Sequence, residues 1–288
     1  MEESIFKELL ECYRVIVDAY RAGANVTKLV NEFNSILASL GRLSLDEVKS
    51  RIVEVESEAL KLAEIARLNT LWSIVATVTV SLIVVVIILL LYTRYRYRLW
   101  LLWIKLRSGY RVYPSQSSGS SKSMIISGEV WAVILALVVV ASVFTLAQAI
   151  TAGKVTEPFS AIGLLGPKMK IGDYPTNVML GDKIKLYVYI GNNMGYPVWY
   201  IVYAKLGNKT TFINSTVPAK LTPIWSYQVL LNHNTNTTIP VTLVMNRTGV
   251  NLKLIFELWY IDPETGQQKY YAWNHLYLNV TAPPIKTT

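Results

Sequence analysis

Residues 183–206, KIKLYVYIGNNMGYPVWYIVYAKL, alternate between apolar and polar side chains in their first half. Every second residue from Ile184 to Ile190 is aliphatic, which is the two-residue period of a strand that is buried on one face. The segment GNNMG, residues 191–195, is typical of a turn. The apolar run after it predicts a second strand over 198–206. The stretch therefore predicts two neighbouring antiparallel strands.

The same alternation recurs towards the carboxyl end of the chain. Residues between these segments are rich in Gly, Asn, Asp and Pro, which favour turns. Several short strands separated by turns predict an antiparallel β-sandwich of immunoglobulin-like kind over residues 151–288. The further strands are predicted at residues 241–246, 252–258 and 276–280.

Four segments of this region carry a resemblance to a known family. They are AIGLLGP (161–167), YPTNV (174–178), IFELWYID (255–262) and HLYLNVT (275–281). With these segments, residues 150–282 resemble the domain-of-unknown-function family 1616 of archaeal membrane proteins. The resemblance implies a cell-surface β domain on a membrane anchor in an archaeon. It brings no catalytic motif and no cofactor.

Two segments without charge precede the β region, at residues 71–92 and 130–150. The chain as a whole is 52% apolar and only 16% charged, which is unusual for an ordinary soluble domain. A helix needs about 20 apolar residues to cross a bilayer. Buried core helices are the alternative, but two uncharged runs of this length favour two transmembrane helices.

Between these segments, residues 93–129 are basic and contain one acid, Glu129. Loops that stay in the cytoplasm carry an excess of Lys and Arg close to the spans, so the loop is predicted to lie inside. LWLLWIKL, residues 99–106, is too short to cross and predicts a short interfacial helix. Membrane lipids are thus expected partners, and nucleic acid is not. The predicted membrane-interface residues are Trp72, Tyr92, Arg94, Arg96, Arg98, Trp100, Trp103, Lys105, Arg107, Arg111 and Trp131.

An internal loop places both termini outside the cell, as a two-pass membrane protein. Glycosylation acceptors of the form Asn-x-Ser/Thr agree, because all lie in the terminal regions and predict N-linked glycans. Residues 1–30 contain no apolar signal core. Either a signal peptide precedes this numbering or the first span carries the N-terminal region across. The acceptor asparagines are Asn25, Asn208, Asn214, Asn236, Asn246 and Asn279.

Residues 1–70 show apolar residues at helical spacing and predict an extracytoplasmic helical bundle or hairpin. Gly23 and Gly41 are placed to end the first two helices. Ser44 and Glu47 have the spacing of a capping box at the start of the third. That helix carries a seam with gaps of three and four residues. The three helices pack on each other, or the seam pairs with a partner chain.

No motif in the chain predicts catalysis. The histidines, His233 and His275, lack Cys, Asp or Glu at ligand spacing, so no metal site is predicted. Cys12 is the only cysteine and excludes an intrachain disulfide. Neither catalytic residues nor a cofactor are assigned. Paired carboxylates for glycoside hydrolysis are conceivable among Asp173, Asp182, Glu257, Asp262 and Glu264.

Aromatic side chains are the remaining feature of the β region. Trp199 and Trp259 share a strand phase with polar neighbours and are the candidate binding aromatics, although packing within the domain would also explain them. The sequence thus predicts a non-enzymatic binding protein, an accessory subunit of a membrane or cell-envelope complex with a protein partner. A glycan-binding surface module and an extracellular hydrolase with an unrecognised site are the alternatives.

Overall fold

The computed structural model describes residues 3–108, 137, 140, 141, 144 and 157–282. The chain divides into two compact units, Met1–Thr70 with Val155–Thr288, and Leu71–Lys154. The first unit consists of an N-terminal helical part and a C-terminal β domain. Within the described range, side chains are not described at residues 3, 81, 84, 85, 88, 89, 91, 92, 96 and 98–108.

The helical part is built from α1 (Glu3–Arg21), α2 (Thr27–Ser39) and α3 (Leu45–Ser108). Apolar residues recur every three or four positions, so α1, α2 and the first part of α3 each bury one face. Gly23 and Gly41 follow α1 and α2 with φ angles of 93° and 81°. This left-handed backbone costs glycine little and lets the chain turn back after each helix.

Among the residues that the structure describes, no helix has a stretch long and apolar enough to cross a membrane. This finding contradicts the predicted pair of transmembrane helices and the two-pass membrane location with both termini outside. Residues 71–92 are not a separate span but belong to the 64-residue helix α3, which has charged residues towards both ends. Residues 99–106, predicted as a separate interfacial helix, belong to α3 as well. The segment 130–150 lies almost entirely outside the described residues.

Eight strands form two sheets in the β domain. The small sheet has the order β1-β3-β6, and the large sheet has the order β2-β8-β7-β4-β5. Neighbouring strands are antiparallel except β2, which runs parallel to β8. The strands are β1 (Phe159–Leu165), β2 (Asn177–Met179), β3 (Lys183–Asn193), β4 (Val198–Gly207), β5 (Pro223–Leu231), β6 (Thr235–Val244), β7 (Gly249–Ile261) and β8 (Gln268–Thr281).

The two sheets share one buried core. Leu186 and Val188 of β3 belong to the same buried cluster as Val202 of β4 and Leu254 of β7. Strand alternation explains this cluster, because every second residue of each strand points between the sheets. The predicted strands near 184–190, 198–206, 241–246, 252–258 and 276–280 correspond to β3, β4, β6, β7 and β8. The sequence did not predict β1, β2 or β5.

Part of the outer face of the large sheet is covered by the N-terminal helices. Trp199 of β4 is fully buried there, with its ring centroid 5.8 Å from that of Phe6, 5.9 Å from Tyr13 and 5.3 Å from Phe33. The hydroxyl of Tyr13 lies 3.3 Å from the carbonyl oxygen of Ile261, to which it donates a hydrogen bond. The helical part and the β domain thus share a second core.

Candidate functional site

Within the described residues the two sheets end in four edge strands, and three of these edges carry a feature that hinders strand pairing. β2 is only three residues long, and β6 carries Pro240, which has no N–H to offer. On β1, the N–H of Ser160 donates to the Tyr271 hydroxyl at 2.8 Å. The hydroxyl of Tyr174 donates to the Leu164 carbonyl at 2.7 Å. Short length, proline and side-chain caps are common protections against unwanted strand pairing.

The fourth edge, β5, is capped at one residue only. The side-chain amide of Asn34 in α2 donates to the Leu230 carbonyl at 2.8 Å and accepts from the Leu230 N–H at 2.7 Å. The Asn34 amide therefore occupies the place of a peptide group in a neighbouring strand. These two bonds also show that the backbone of Leu230 points away from β4, towards the free edge.

Strand alternation extends this result along β5. Backbone groups of every second residue point to the same side, so Gln228 and Ser226 also present N–H and C=O groups to the free edge. β5 is the last strand of its sheet among the described residues. Its sequence, PIWSYQVLL, contains no charged residue that would discourage pairing. Ser226 and Gln228 therefore form an open site for another strand.

A groove of about 660 Å3 runs along this open edge. One wall is β5, and the other is formed by the start of α1, the end of α2 and the start of α3. None of the lining residues is charged. They are Ile5, Asn34, Leu37, Ala38, Leu40, Gly41, Leu45, Ser226, Tyr227 and Gln228.

By strand alternation the side chains of Trp225 and Tyr227 point to the opposite face of β5, where they form a flat aromatic surface, and Tyr227 also contributes to the groove at the edge of the strand. Their ring centroids are 6.0 Å apart and their planes differ by 9°. Tyr227 is 42% exposed, and the nearby Ile224 is 43% exposed. The open edge is thus flanked by an apolar groove on the helical side and by aromatic rings on the other side.

A buried ion pair lies elsewhere on the outer face of the large sheet. Glu257 is fully buried, and its Oε2 accepts from Lys205 Nζ at 2.8 Å and from Trp259 Nε1 at 2.9 Å. Its Oε1 accepts from the Ala219 N–H at 2.7 Å. Lys205 Nζ also donates to the Ala219 carbonyl at 2.8 Å. These bonds fasten the segment between β4 and β5 onto the sheet, and they leave the carboxylate without access to solvent.

The two candidate binding aromatics are not arranged as an exposed surface. Trp199 is buried under the helices, so it cannot meet a ligand from outside. Trp259 is half-buried, donates to Glu257, and has its ring centroid 6.2 Å from that of Tyr203 and 5.3 Å from that of Tyr270. Both rings do point away from the sandwich core, but other parts of the chain contact them there.

Of the remaining candidate carboxylates, Asp262 and Asp182 serve turns, whereas Asp173 pairs with Lys168 at 3.1 Å and Glu264 pairs with Arg21 at 3.4 Å. Asp262 accepts from the N–H groups of Glu264 and Thr265 and pairs with Lys269, whose ammonium holds the pKa of Asp262 below its usual value. Asp182 accepts from the Met179 N–H at 2.8 Å. In the part of the chain that the structure describes, no three His, Cys, Asp or Glu residues form a group that could hold a metal ion.

The asparagines of the predicted glycosylation sites differ in their exposure. Asn25, Asn208, Asn236 and Asn246 are exposed, whereas Asn214 and Asn279 are half-buried. The Nδ2 of Asn279 donates to Asn177 Oδ1 at 3.0 Å. Glycan attachment at the exposed positions stays a prediction.

The structure describes the side chains of only some of the predicted membrane-interface residues. Trp72 and Arg94 are exposed on α3. The side chains of the other members that belong to α3 are not described: Tyr92, Arg96, Arg98, Trp100, Trp103, Lys105 and Arg107. Arg111 and Trp131 lie outside the described residues.

Sequence reasoning missed the open edge of β5, although a signal for it exists. PIWSYQVLL is an uncharged run of aromatic and aliphatic residues that begins with proline and ends before the polar segment NHN. This composition favours a strand. The capping by Asn34, 196 positions earlier, has no sequence signal.

Comparison with known proteins supports the assignment of the β domain. Residues 153–281 match the model of the family described as Domain of unknown function (DUF1616). The archaeal source that the resemblance implied stays a prediction. A search of curated proteins gives no match.

Solved structures show only distant similarity. A β-glucosidase from Listeria innocua in complex with glucose is 12% identical, with a TM-score of 0.27, over 45% of this chain and 17% of that one. A CARDB domain from Pyrococcus furiosus in complex with di-metal ions is 11% identical, with a TM-score of 0.30, over 44% and 92%. The C-terminal domain of wzt is 7% identical, with a TM-score of 0.30, over 47% and 89%. The chain therefore spans less than a fifth of the glucosidase.

Proposed function

We propose that this protein is a non-enzymatic binding subunit of a protein assembly, and that it binds an extended segment of a partner polypeptide as an additional strand beside β5. The open edge at Ser226 and Gln228 carries this proposal. It is uncharged and flanked by an uncharged groove, and each of the other three described edges carries a feature that hinders pairing. Strand addition of this kind obtains affinity from main-chain hydrogen bonds and specificity from alternate side chains.

The geometry limits the length of the bound segment. The open part of the edge runs from Ile224 to Gln228, and the Asn34 amide blocks it at Leu230. Since an extended chain advances about 3.3 Å per residue, this open part accommodates roughly five residues of a partner. Each main-chain hydrogen bond contributes about 1 kcal/mol net, so burial of apolar side chains has to supply the rest of the affinity.

Binding is favoured over hydrolysis by the state of the carboxylates. Glu257 is buried and already accepts three hydrogen bonds, and Asp262 and Asp182 cap turns. A glycan-binding role for Trp199 and Trp259 loses support because their faces are occupied by other residues of the chain.

The test compares two substitutions at one position of the full chain. Peptides are first selected on the unaltered protein from a displayed library of random sequences, and their affinities are measured by fluorescence anisotropy. Ser226→Pro removes an N–H that points to the free edge, so it leaves the bonds between β4 and β5 intact. Ser226→Ala keeps that N–H and is the matched control.

We expect peptide binding to weaken at least about tenfold in Ser226→Pro, because a ligand carbonyl is left without its donor, and to stay within about twofold in Ser226→Ala. Equal binding by both variants would contradict the proposal. If Ser226→Pro instead abolishes a dimer of the protein and no peptide competes with that dimer, the occupant is a second copy of the chain and the proposal of a separate partner is wrong.

A further inference from the structure

We infer that the partner segment carries two uncharged aliphatic side chains, separated by one residue, that enter the groove between β5 and the helices. This inference rests on the proposed strand addition and specifies its ligand. The geometry of β5 and the chemistry of the groove walls carry it.

Alternation fixes which ligand residues face the groove. Three residues of β5 share one orientation: Ser226, Gln228 and Leu230. Their backbone N–H and C=O groups face the open edge, and their side chains face the helical side of the sheet. Gln228 accepts from Trp199 Nε1 at 3.2 Å on that face, which confirms the direction of its side chain. In a strand added to this edge, every second side chain likewise points to the helical face, directly into the groove.

The walls of the groove select for uncharged side chains. On the helical side they consist of Ile5, Asn34, Leu37, Ala38, Leu40, Gly41 and Leu45, and no lining residue carries a charge. A Lys or Glu side chain of the ligand would lose water there without gaining an opposite charge, which is costly. An aliphatic side chain gains from the same burial, because apolar area is removed from water on both molecules.

The intervening ligand residue meets different chemistry. It points to the opposite face, where the ring of Tyr227 lies parallel to that of Trp225 and is 42% exposed. This side is open, so a charged residue keeps its hydration there. A cation there additionally stacks over the ring face. The bound segment therefore has an aliphatic residue, then a residue of any charge, and then a second aliphatic residue.

Leu45 allows the polarity of the groove to be changed without disturbing the fold. It is 46% exposed and is the first residue of α3, where a carboxylate is favoured by the helix dipole. The variant Leu45→Glu therefore places a negative charge in the groove wall. Ser50→Glu adds the same charge at an exposed position of α3 that does not line the groove, and it is the matched control.

The experiment uses the peptides selected on the unaltered protein, with each residue replaced in turn by Ala, by Lys or by its N-methyl form. N-methylation should weaken binding at every second residue, which reports strand pairing. At the two groove-facing positions we expect Ala to weaken binding by about tenfold and Lys by about a hundredfold, with little effect of Lys between them. In Leu45→Glu, the loss of affinity caused by Lys at a groove-facing peptide position should be about tenfold smaller, whereas in Ser50→Glu it should be unchanged.

Failure of the ligand pattern can be distinguished from failure of strand addition. If the N-methyl pattern is present but Lys is tolerated at every position, strand addition stands and the inferred ligand pattern is wrong. The ligand pattern is also wrong if Leu45→Glu leaves the loss of affinity caused by Lys unchanged. If N-methylation has no two-residue pattern, the proposed function itself is contradicted.

Discussion

Replacing Trp199 by alanine removes the side chain on which the helical part and the β domain meet. The ring is fully buried between β4 and the helices, and its neighbours are Phe6, Tyr13 and Phe33. Its Nε1 donates to Gln228 Oε1 at 3.2 Å, and this bond is lost as well. We expect a large loss of stability in both parts of the first unit.

The size of the loss follows from burial and ring contacts. Large aromatic residues replaced by alanine in a packed core cost about 3–5 kcal/mol. Three ring neighbours place Trp199 at the upper end of this range, since aromatic pairs contribute beyond their buried area. Trp199→Phe keeps a ring in the same space and loses mainly the hydrogen bond, so it should cost about 1–2 kcal/mol. The two variants together separate ring packing from hydrogen bonding.

Cys12 provides a local probe for the same variants. It is the only cysteine, it is fully buried in α1, and burial raises the pKa of its thiol to about 12. A thiol reagent therefore labels it when the helices open. When the helices open and close faster than the reagent reacts, the labelling rate is proportional to the population of the open state. A loss of about 4 kcal/mol should then raise the labelling rate of Trp199→Ala by roughly a thousandfold. The midpoint of urea unfolding gives the global value.

A loss of less than about 1 kcal/mol in the free energy of unfolding of Trp199→Ala, against the expected 3–5 kcal/mol, would contradict this role of Trp199. Destabilisation of the sheet with unchanged labelling of Cys12 would contradict it as well. The second result would mean that the helices hold together without the sheet.

Three further predictions concern polar contacts. Glu257→Gln leaves the buried Lys205 ammonium without its counter-charge and should cost about 3–5 kcal/mol in urea unfolding. Replacing both residues by Met should restore much of this loss. Equal losses in the two variants would speak against an ion pair. Asn34→Ala should lower the free energy of unfolding by about 2 kcal/mol and lengthen the open edge of β5, so peptide binding should be unchanged or tighter. Weaker peptide binding would contradict the capping role of Asn34. Burial and the nearby Lys253 lower the pKa of His275 from 6.5. The unfolded chain therefore binds a proton at His275 more readily than the folded chain, so the stability that is present above pH 6.5 falls on acidification. In His275→Phe this fall between about pH 7 and 5 should be smaller. Identical pH profiles of stability in the two proteins would exclude His275 as its cause.

The strands that alternate strictly could be predicted because one face of each lies in the sandwich core. β3 shows this best, with buried residues at Ile184, Leu186, Val188 and Ile190 and exposed or half-exposed residues between them. β5 lacks such alternation, since its first half is exposed or half-exposed on both faces and its second half is buried on both. β2 is too short for any period to be visible.

The second face of the large sheet could not be predicted from local sequence. Trp199 and Glu257 lie on the strand phase that faces away from the sandwich core, so alternation alone gives no sign that either of them is buried. The structure buries Trp199 under α1 and α2, and it buries Glu257 under the segment that contains Ala219. A sequence pattern tells which residues share a face, but not what distant segment covers that face.

The length of an uncharged run was also an insufficient guide. Residues 71–92 satisfy the length rule for a transmembrane helix, yet they form the middle of α3, and the described residues contain no helix that meets the criteria for a span. The helix is continuous across the basic residues that were taken to mark a loop. With the spans, the assignment of inside and outside that depended on them is lost.

Amide hydrogen exchange tests the open edge most directly. In the free protein, the N–H groups of Tyr227 and Val229 pair with β4 and should exchange slowly, whereas those of Ser226 and Gln228 should exchange quickly. Addition of a selected peptide should slow exchange at Ser226 and Gln228 and leave Tyr227 and Val229 as they were. Slow exchange at Ser226 and Gln228 in the free protein, or no change on peptide binding, would contradict a strand-binding edge at β5.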